Sequence, residues 1–426
     1  MMDETPLFQG RIANSVDYNN IARNALQKVH LYYDQAKIWY KWDAKAYRWV
    51  VIDEIDVLNA IDAELNISNI TQQHVKSQLL TAFQMESRKR APKELTSTQI
   101  QFKETIVDIK TGEQFPATPA YFACNPIPWK LGQSTDTPTI DRLLKEWVGE
   151  KEAYMLKQWL AFTIIPSYPL HRAILLLGNG SNGKTTYTKL LRRFVGDDNV
   201  FAGEFSTVFC MRFGTSFLYR KLGIILAETD YKIIERTAEF KSATGDDLIH
   251  IEFKNKPAFP YTNYAKVIIA ANTLPRTDDK SEGFYRRFLL ISFNNRFTEK
   301  YDILSQIPDE EYENLARACI DISQELLREG KFKHEQSIAN KKMQYERISN
   351  PAFRFFEEQV ELDTASEITR KELTTRLSNW LENNNLPPIG DREIRNLLPP
   401  QPYKDKFKEH ERVWCGIRWK QPEGTP

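Results

Sequence analysis

At 426 residues the chain is longer than one hydrophobic core usually organises, so two or three domains are expected. Lysine and arginine total 58 against 57 acids, a net charge of +1, which excludes nucleic-acid binding by bulk basicity and leaves only locally focused basic groups. Cys124, Cys210, Cys319 and Cys415 lie far apart with no C-x-x-C pair, which excludes a disulfide frame and a zinc site and fits the reduced thiols of an intracellular protein. No apolar run approaches the ~20 residues that span a bilayer, and the start lacks a signal peptide's apolar stretch. The expectation is a soluble, cytoplasmic protein with no membrane partner, and the opening Met1-Met2 is compatible with a piece of a longer one.

Residues 30–52 carry Tyr32, Tyr33, Trp39, Tyr40, Trp42, Tyr47 and Trp49 in short runs broken by Asp34-Gln35 and Asp43-Ala44-Lys45, a pattern of antiparallel strands joined by tight turns. These aromatics serve either as the core of a small sheet or as stacking platforms for single-stranded bases. Helical spacing over 57–65 and 75–83 is then interrupted by Arg88-Lys89-Arg90-Ala91-Pro92, a solvated linker or a phosphate contact. The alternation over 100–109 predicts one strand ending at Thr111-Gly112; prolines 116, 119, 126 and 128 mark a connection, and 140–148 and 154–164 read as helices.

The apolar run 173–177 leads into Gly178-Asn179-Gly180-Ser181-Asn182-Gly183-Lys184-Thr185-Thr186, a full match to G-x-x-x-x-G-K-[ST]. The glycines let backbone N–H groups converge on phosphate oxygens where a side chain would crowd them out. Lys184 adds a point charge at the β and γ phosphates, Thr185 offers a hydroxyl to Mg²⁺, and the helix predicted over 184–194 turns its positive end to the anion. The alternative is a glycine-rich turn with a chance lysine.

A second apolar strand over 222–226 runs into Ala227-Glu228-Thr229-Asp230, and in phosphate-loop ATPases a strand next to the loop ends in acids. Glu228 is the candidate water-polarising base; Ala227 occupies the place of a common metal-binding acid, so Mg²⁺ falls to Thr185, Glu228 or Asp230. Segments 249–253 and 258–261 predict a hairpin with Lys254, Asn255 and Lys256 at its tip, which reaches a nucleic-acid phosphate or is an ordinary surface turn. The strand 266–271 ends at Asn272, a hydrogen-bonding group for the γ-phosphate or attacking water, or a plain turn cap. Arg286 and Arg287 precede the strand 288–293, where arginine either stabilises charge in phosphoryl transfer or begins a surface strand.

Together, the phosphate loop, the acid-ended strand, the Thr244-Gly245-Asp246 turn, Ala271-Asn272 and Arg286-Arg287-Phe288 resemble the superfamily 3 helicases, hexameric AAA+ proteins of viruses and plasmids. The primase-helicase group of poxviruses, phages and mobile elements is most similar, including the helicase halves of phage primase-polymerases. Residues 101–112 and Asn125-Pro126-Ile127-Pro128-Trp129 extend that resemblance upstream.

The resemblance implies an α/β fold: an AAA+ phosphate-loop core (167–330), preceded by a small sheet with helices (1–95) and a helical domain (96–166). Apolar spacing over 352–360, 371–382 and 392–398, followed by alternation over 407–419, suggests three helices and a two-stranded wing, a winged-helix domain spanning 345–426.

Its implied activity is an ATP-dependent replicative DNA helicase, a ring expected to be hexameric, acting on single-stranded and forked duplex DNA beside a primase or polymerase. Lys184, Glu228, Asn272 and a neighbour's Arg287 would be catalytic, with Arg286 the secondary arginine. The alternative is a nucleotide-dependent loading module that recruits a primase or polymerase without unwinding.

Overall fold

The computed structural model describes residues 16–65, 72–178, 181–226, 237–272, 274, 277–298, 302–384, 386, 404–408 and 411–420. The N-terminal module comprises α1 (Tyr18–Ala25), the antiparallel meander β1 (Leu31–Tyr33), β2 (Trp39–Asp43) and β3 (Arg48–Ile52), then α2 (Glu54–Leu65) and α3 (Gln73–Lys89). Most of its aromatics are core, Tyr47 being exposed: the Tyr32 and Tyr40 rings lie 5.2 and 5.0 Å from Phe122, and Trp49 packs in the same cluster. The basic cluster is not a linker, because α3 continues to Lys89 and Arg88 donates to the Asp34 carbonyl at 2.6 Å.

The short pair β4 (Lys93–Glu94) and β8 (Tyr121–Phe122) flanks a second meander of β5 (Gln99–Phe102), β6 (Thr105–Asp108) and β7 (Gln114–Pro116). The single strand expected over 100–109 is thus a hairpin. It reverses at Lys103, whose backbone is left-handed (φ 42°) and whose N–H donates to the Ile127 carbonyl at 2.8 Å. Helices α4 (Pro138–Val148) and α5 (Glu150–Ile164) follow.

The central sheet is built from β9 (Ala173–Leu177), β10 (Val200–Gly203), β11 (Gly223–Leu226), β14 (Lys266–Ala271) and β15 (Phe288–Ser292). All neighbours are parallel, in the order β10-β11-β14-β9-β15. Crossovers carry α6 (Lys184–Val195), α7 (Phe205–Phe209), α8 (Thr237–Ala243), α9 (Glu282–Tyr285) and the hairpin β12 (Leu248–Ile251) with β13 (Phe259–Thr262).

Alternate side chains supply opposite faces, as strands buried on both sides require. Ile174, Leu176, Ile268, Leu289 and Ile291 join α4, α5, α6 and α10 (Asp309–Glu329) in one cluster. Ala173, Leu175, Leu177, Val267, Ile269 and Leu290 join Phe240, Phe284 and Tyr345 in the other. The first cluster also holds Ile100, Phe102 and Leu143, so residues 96–166 and 167–330 share a core across the expected boundary.

The C-terminal part comprises α11 (Ile338–Ser349), α12 (Pro351–Gln359), β16 (Val360–Thr369), α13 (Arg370–Asn383), β17 (Lys404–Lys408) and β18 (Glu411–Trp419). An antiparallel strand pair, β17 and β18, stands where the alternation was expected, and a third strand, β16, occupies residues expected only to join helices. The expected helix over 392–398 lies outside the described residues. Arg220 ties the β4–β8 pair to the core: its guanidinium lies 4.3 Å from the Phe122 ring and pairs with Glu94 at 2.9 Å.

Lys266 is fully buried at the start of β14, and burial pushes its pKa well below the ordinary lysine value. Carbonyls of Ile165, Ser167 and Tyr264 accept from its Nζ at 2.7, 2.8 and 2.8 Å, matching the three donors of an ammonium. Lys266→Met strands those carbonyls in an apolar core and is expected to destabilise the fold by on the order of 3 kcal/mol, read as a lower denaturant midpoint. An unchanged midpoint would remove this role.

Candidate functional site

The sheet's C-terminal edge gathers the candidate loop. β9 ends at Leu177, the chain turns through Gly178, and α6 begins at Lys184 with Gly183 before it. Asn179 and Gly180 lie outside the described residues. Two glycines are sterically required. A Cβ on Gly178 would fall 2.5 Å from the Phe293 carbonyl oxygen, and one on Gly183, at φ 98°, would fall 2.7 Å from Trp147 Cδ1.

The loop is tied to the segment after β15, which the sequence pattern did not single out. Asn182, buried, donates to the Phe293 carbonyl at 3.1 Å, and the Phe297 N–H donates to the Ser181 carbonyl at 2.8 Å. Asn295 donates to the Glu146 carbonyl at 2.7 Å, tying the segment after β15 to the end of α4 that bears Trp147. Trp147 had only a core signal, at the end of the Ile140, Leu143, Leu144 face.

Lys184 is 7% exposed, and its Nζ donates to the Gly178 carbonyl, to Asn182 Oδ1 at 3.4 Å and to Asn272 Oδ1 at 3.0 Å. Asn272 therefore belongs to the loop site and is not merely a turn cap. Thr185 is exposed in the first turn of α6, beside half-buried Thr186, where a hydroxyl can meet a cation. Among the described residues no cluster of three His, Cys, Asp or Glu side chains could hold a metal, and Glu228 and Asp230 lie outside them. One expectation is corrected: the acid-ended strand β11 is not next to β9, because β14 pairs with both and stands between them.

The arginines occupy the opposite edge of the sheet, where the Ala173 N–H meets the Arg287 carbonyl at 2.6 Å. Arg287 is turned inward and 6% exposed; it donates to Thr244 Oγ1 at 3.0 Å, to the Lys241 carbonyl at 3.0 Å and to the Gly283 carbonyl. Burial, with Arg286 beside it, pushes its pKa down. Arg286, by contrast, is exposed, while Arg287 braces the Thr244-Gly245-Asp246 turn. Burial alone would raise the nearby Asp279 carboxyl, but hydrogen bonds from Lys241, Ser281 and Thr237 hold it well below the usual range.

The predicted hairpin is present, with Asn255 left-handed (φ 64°) at its tip and Lys254 exposed. Lys256 instead donates to the Lys37 carbonyl at 2.8 Å, seating the tip on the N-terminal meander.

A family described as a family of unknown function (DUF5906) matches residues 176–287, from the loop-bearing strand to Arg287. No curated protein matches the chain. The apo structure of the NrS-1 C-terminal region is similar at 15% identity with a TM-score of 0.54, covering 90% of this chain and 85% of that one. An A-form apo structure of the same region has 13% identity and a TM-score of 0.49, covering 95% of this chain and 100% of that one. The chain thus shares a fold with the NrS-1 C-terminal region. No described helix is long and apolar enough to cross a membrane.

The Gly183 contact gives a direct test. Gly112 has a similar positive φ of 78° but open space around it, so Gly112→Ala carries only the backbone cost. Gly183→Ala is expected to cost about 1–3 kcal/mol more, because its methyl must displace the Trp147 ring. Equal denaturant midpoints for the two variants would disprove the steric role.

Proposed function

We propose that the chain is an ATP-dependent DNA helicase of the superfamily 3 kind, serving DNA replication of the phage type as a ring with nucleotide between subunits. One observation carries this reading: Lys184 Nζ lies 3.0 Å from Asn272 Oδ1 at the mouth of a complete phosphate-loop motif, at the carboxyl edge of a parallel sheet. In this reading Lys184 exchanges the Gly178 carbonyl for β- and γ-phosphate oxygens, and backbone N–H groups of residues 178–186 supply the remaining donors. Thr185 holds Mg²⁺, with Glu228 and Asp230 as further candidate ligands.

Glu228 polarises the attacking water and Asn272 orients it against the γ-phosphate. The arginine across the interface is assigned to Arg286, because Arg287 is already held by three acceptors of its own chain. Its position at the far edge of the sheet from its own loop suits a group that serves an adjoining copy. Lys254 and Asn255 at the hairpin tip, with Lys256 if it leaves Lys37, would grip one strand of DNA in the channel. The shared fold with the NrS-1 C-terminal region is compatible with this architecture and supports no more than that.

Lys184→Ala is expected to abolish ATP hydrolysis. Arg286→Ala should lower hydrolysis by at least ~10³ while ATP still binds. Arg287→Ala should instead lower the melting temperature. Wild-type protein that hydrolyses ATP without stimulation by single-stranded DNA, and unwinds no forked duplex, would count against the helicase reading.

A loading module that recruits a primase or polymerase is favoured by one observation, the hydrogen bond that seats Lys256 on the N-terminal meander. Substituting Lys254 and Lys256 by alanine separates the two. A translocase keeps basal ATPase and loses unwinding, whereas a loader keeps both nucleotide turnover and recruitment.

A further inference from the structure

A cavity of about 740 Å³ opens where three parts of the chain meet, within the usual range for a small-molecule site and at the kind of boundary such sites favour. The N-terminal meander brings Arg48 to it, and the second meander brings Lys103. The last turns of α6 bring Lys189, Arg192 and Arg193. Because α6 starts at the phosphate loop, its rise sets this far end about 16 Å from Lys184.

Buried amides fix the walls. Gln101 donates to the Tyr47 carbonyl and, at 2.7 Å, to the Lys103 carbonyl; both acceptor residues have left-handed backbone, at φ 52° and 42°. One side chain therefore holds the two turns that carry Arg48 and Lys103. Asn199 donates to the Pro126 carbonyl at 2.9 Å and to the Val195 carbonyl at 2.7 Å, joining the proline segment to the end of α6. Trp129 Nε1 adds a bond to the Arg193 carbonyl at 3.2 Å.

Five cationic side chains line the cavity against three carboxylates, those of Asp197, Asp198 and Asp302. Arg192 holds Asp197 at 2.9 Å, Arg48 holds Asp198 at 3.0 Å, and Arg193 reaches Asp309 at 3.2 Å. Among the described residues the ammonium groups of Lys103 and Lys189 have no acceptor, and Arg48 Nε is buried without one. Arginines at the end of α6 suit the negative end of the helix dipole, which itself works against an anion. The dipole does not explain Arg48 and Lys103, which arrive from elsewhere in the chain. Pro126, Pro128 and Leu304 give the same cavity an apolar side.

We propose that this cavity is a second anion site, in which Lys103, Lys189 and Arg48 take the phosphate group of a small phosphate-bearing molecule. A phosphate oxygen supplies the acceptor that Arg48 Nε lacks, and charge-assisted bonds to the two lysines outweigh the unpaired Asp302. The cations converge on one cavity and are partly offset by acids, whereas a nucleic-acid strand needs them repeated along a groove. The assignment stands apart from the nucleotide reading of the loop.

Calorimetric titration of the full chain with pyrophosphate and, separately, with thymidine monophosphate tests this, in a Lys184→Ala background that removes the cation of the phosphate loop. One site is expected. Lys103→Ala combined with Lys189→Ala should weaken it by at least about tenfold with an unchanged melting temperature, because both side chains are exposed. Should Lys184→Ala fail to fold, the same pair in the otherwise wild-type chain should remove one pyrophosphate site. Binding of pyrophosphate alone marks the ligand as a bare phosphate, and tighter thymidine monophosphate marks an organic one seated on the apolar side. A background chain that binds neither probe, or a double variant of undiminished affinity, would overturn the proposal. So would binding through Lys103 and Lys189 by oligothymidylate alone, which would make the cavity part of a strand path. A phosphate loop that never binds nucleotide would leave this site standing.

Discussion

The pairing of β14 with β9 is the constraint on which the rest of the molecule depends. Its register sets Ala271 opposite Leu177, so the residues that follow, Asn272 and Gly178, emerge side by side at the sheet edge. Only then can one lysine from the first turn of α6 reach both. Strand side chains alternate between two apolar clusters, and a slip of one residue would send every one of them to the wrong face. β14 is also pinned at its other end, where Lys266 finds three carbonyls in the core. A lysine thus sits at each end of the strand, one satisfying the interior and one facing the candidate site.

The two edges of the sheet are joined through α11. Its Lys341 touches the backbone of Arg286, the exposed arginine, and its Gln344, Arg347 and Ile348 line a cavity beside the loop. On the N-terminal side, Arg220 and Lys256 make comparable links, one to Phe122 and Glu94 and the other to the Lys37 turn. The core is braced by the modules before and after it, and the hairpin tip is part of that bracing.

Much of this was legible in residue order. Residues 178–185 match the phosphate-loop pattern of glycine, glycine, lysine and threonine at fixed spacings, and the apolar run before them is a strand buried on both faces. The hairpin around Asn255, the helices of residues 138–164 and the aromatic meander follow from short-range pattern in the same way.

Where the reading failed, the cause lay in partners distant along the chain. Lys103 turns a run of alternating residues into a hairpin because Ile127 offers it a carbonyl, and β16 forms because β18 pairs with it. Arg286 and Arg287 are indistinguishable as letters. Tertiary packing decides that one is enclosed by Thr244, Lys241 and Gly283 while the other meets solvent. Trp147 and the segment after β15 support the loop without any local motif, since a side chain's role there depends on what the fold brings within a few ångströms. Sequence alone determined that residues 178–185 carry the phosphate-loop pattern, because that pattern is local; which strand stands between β9 and β11, and which arginine is exposed, was settled only when the sheet closed.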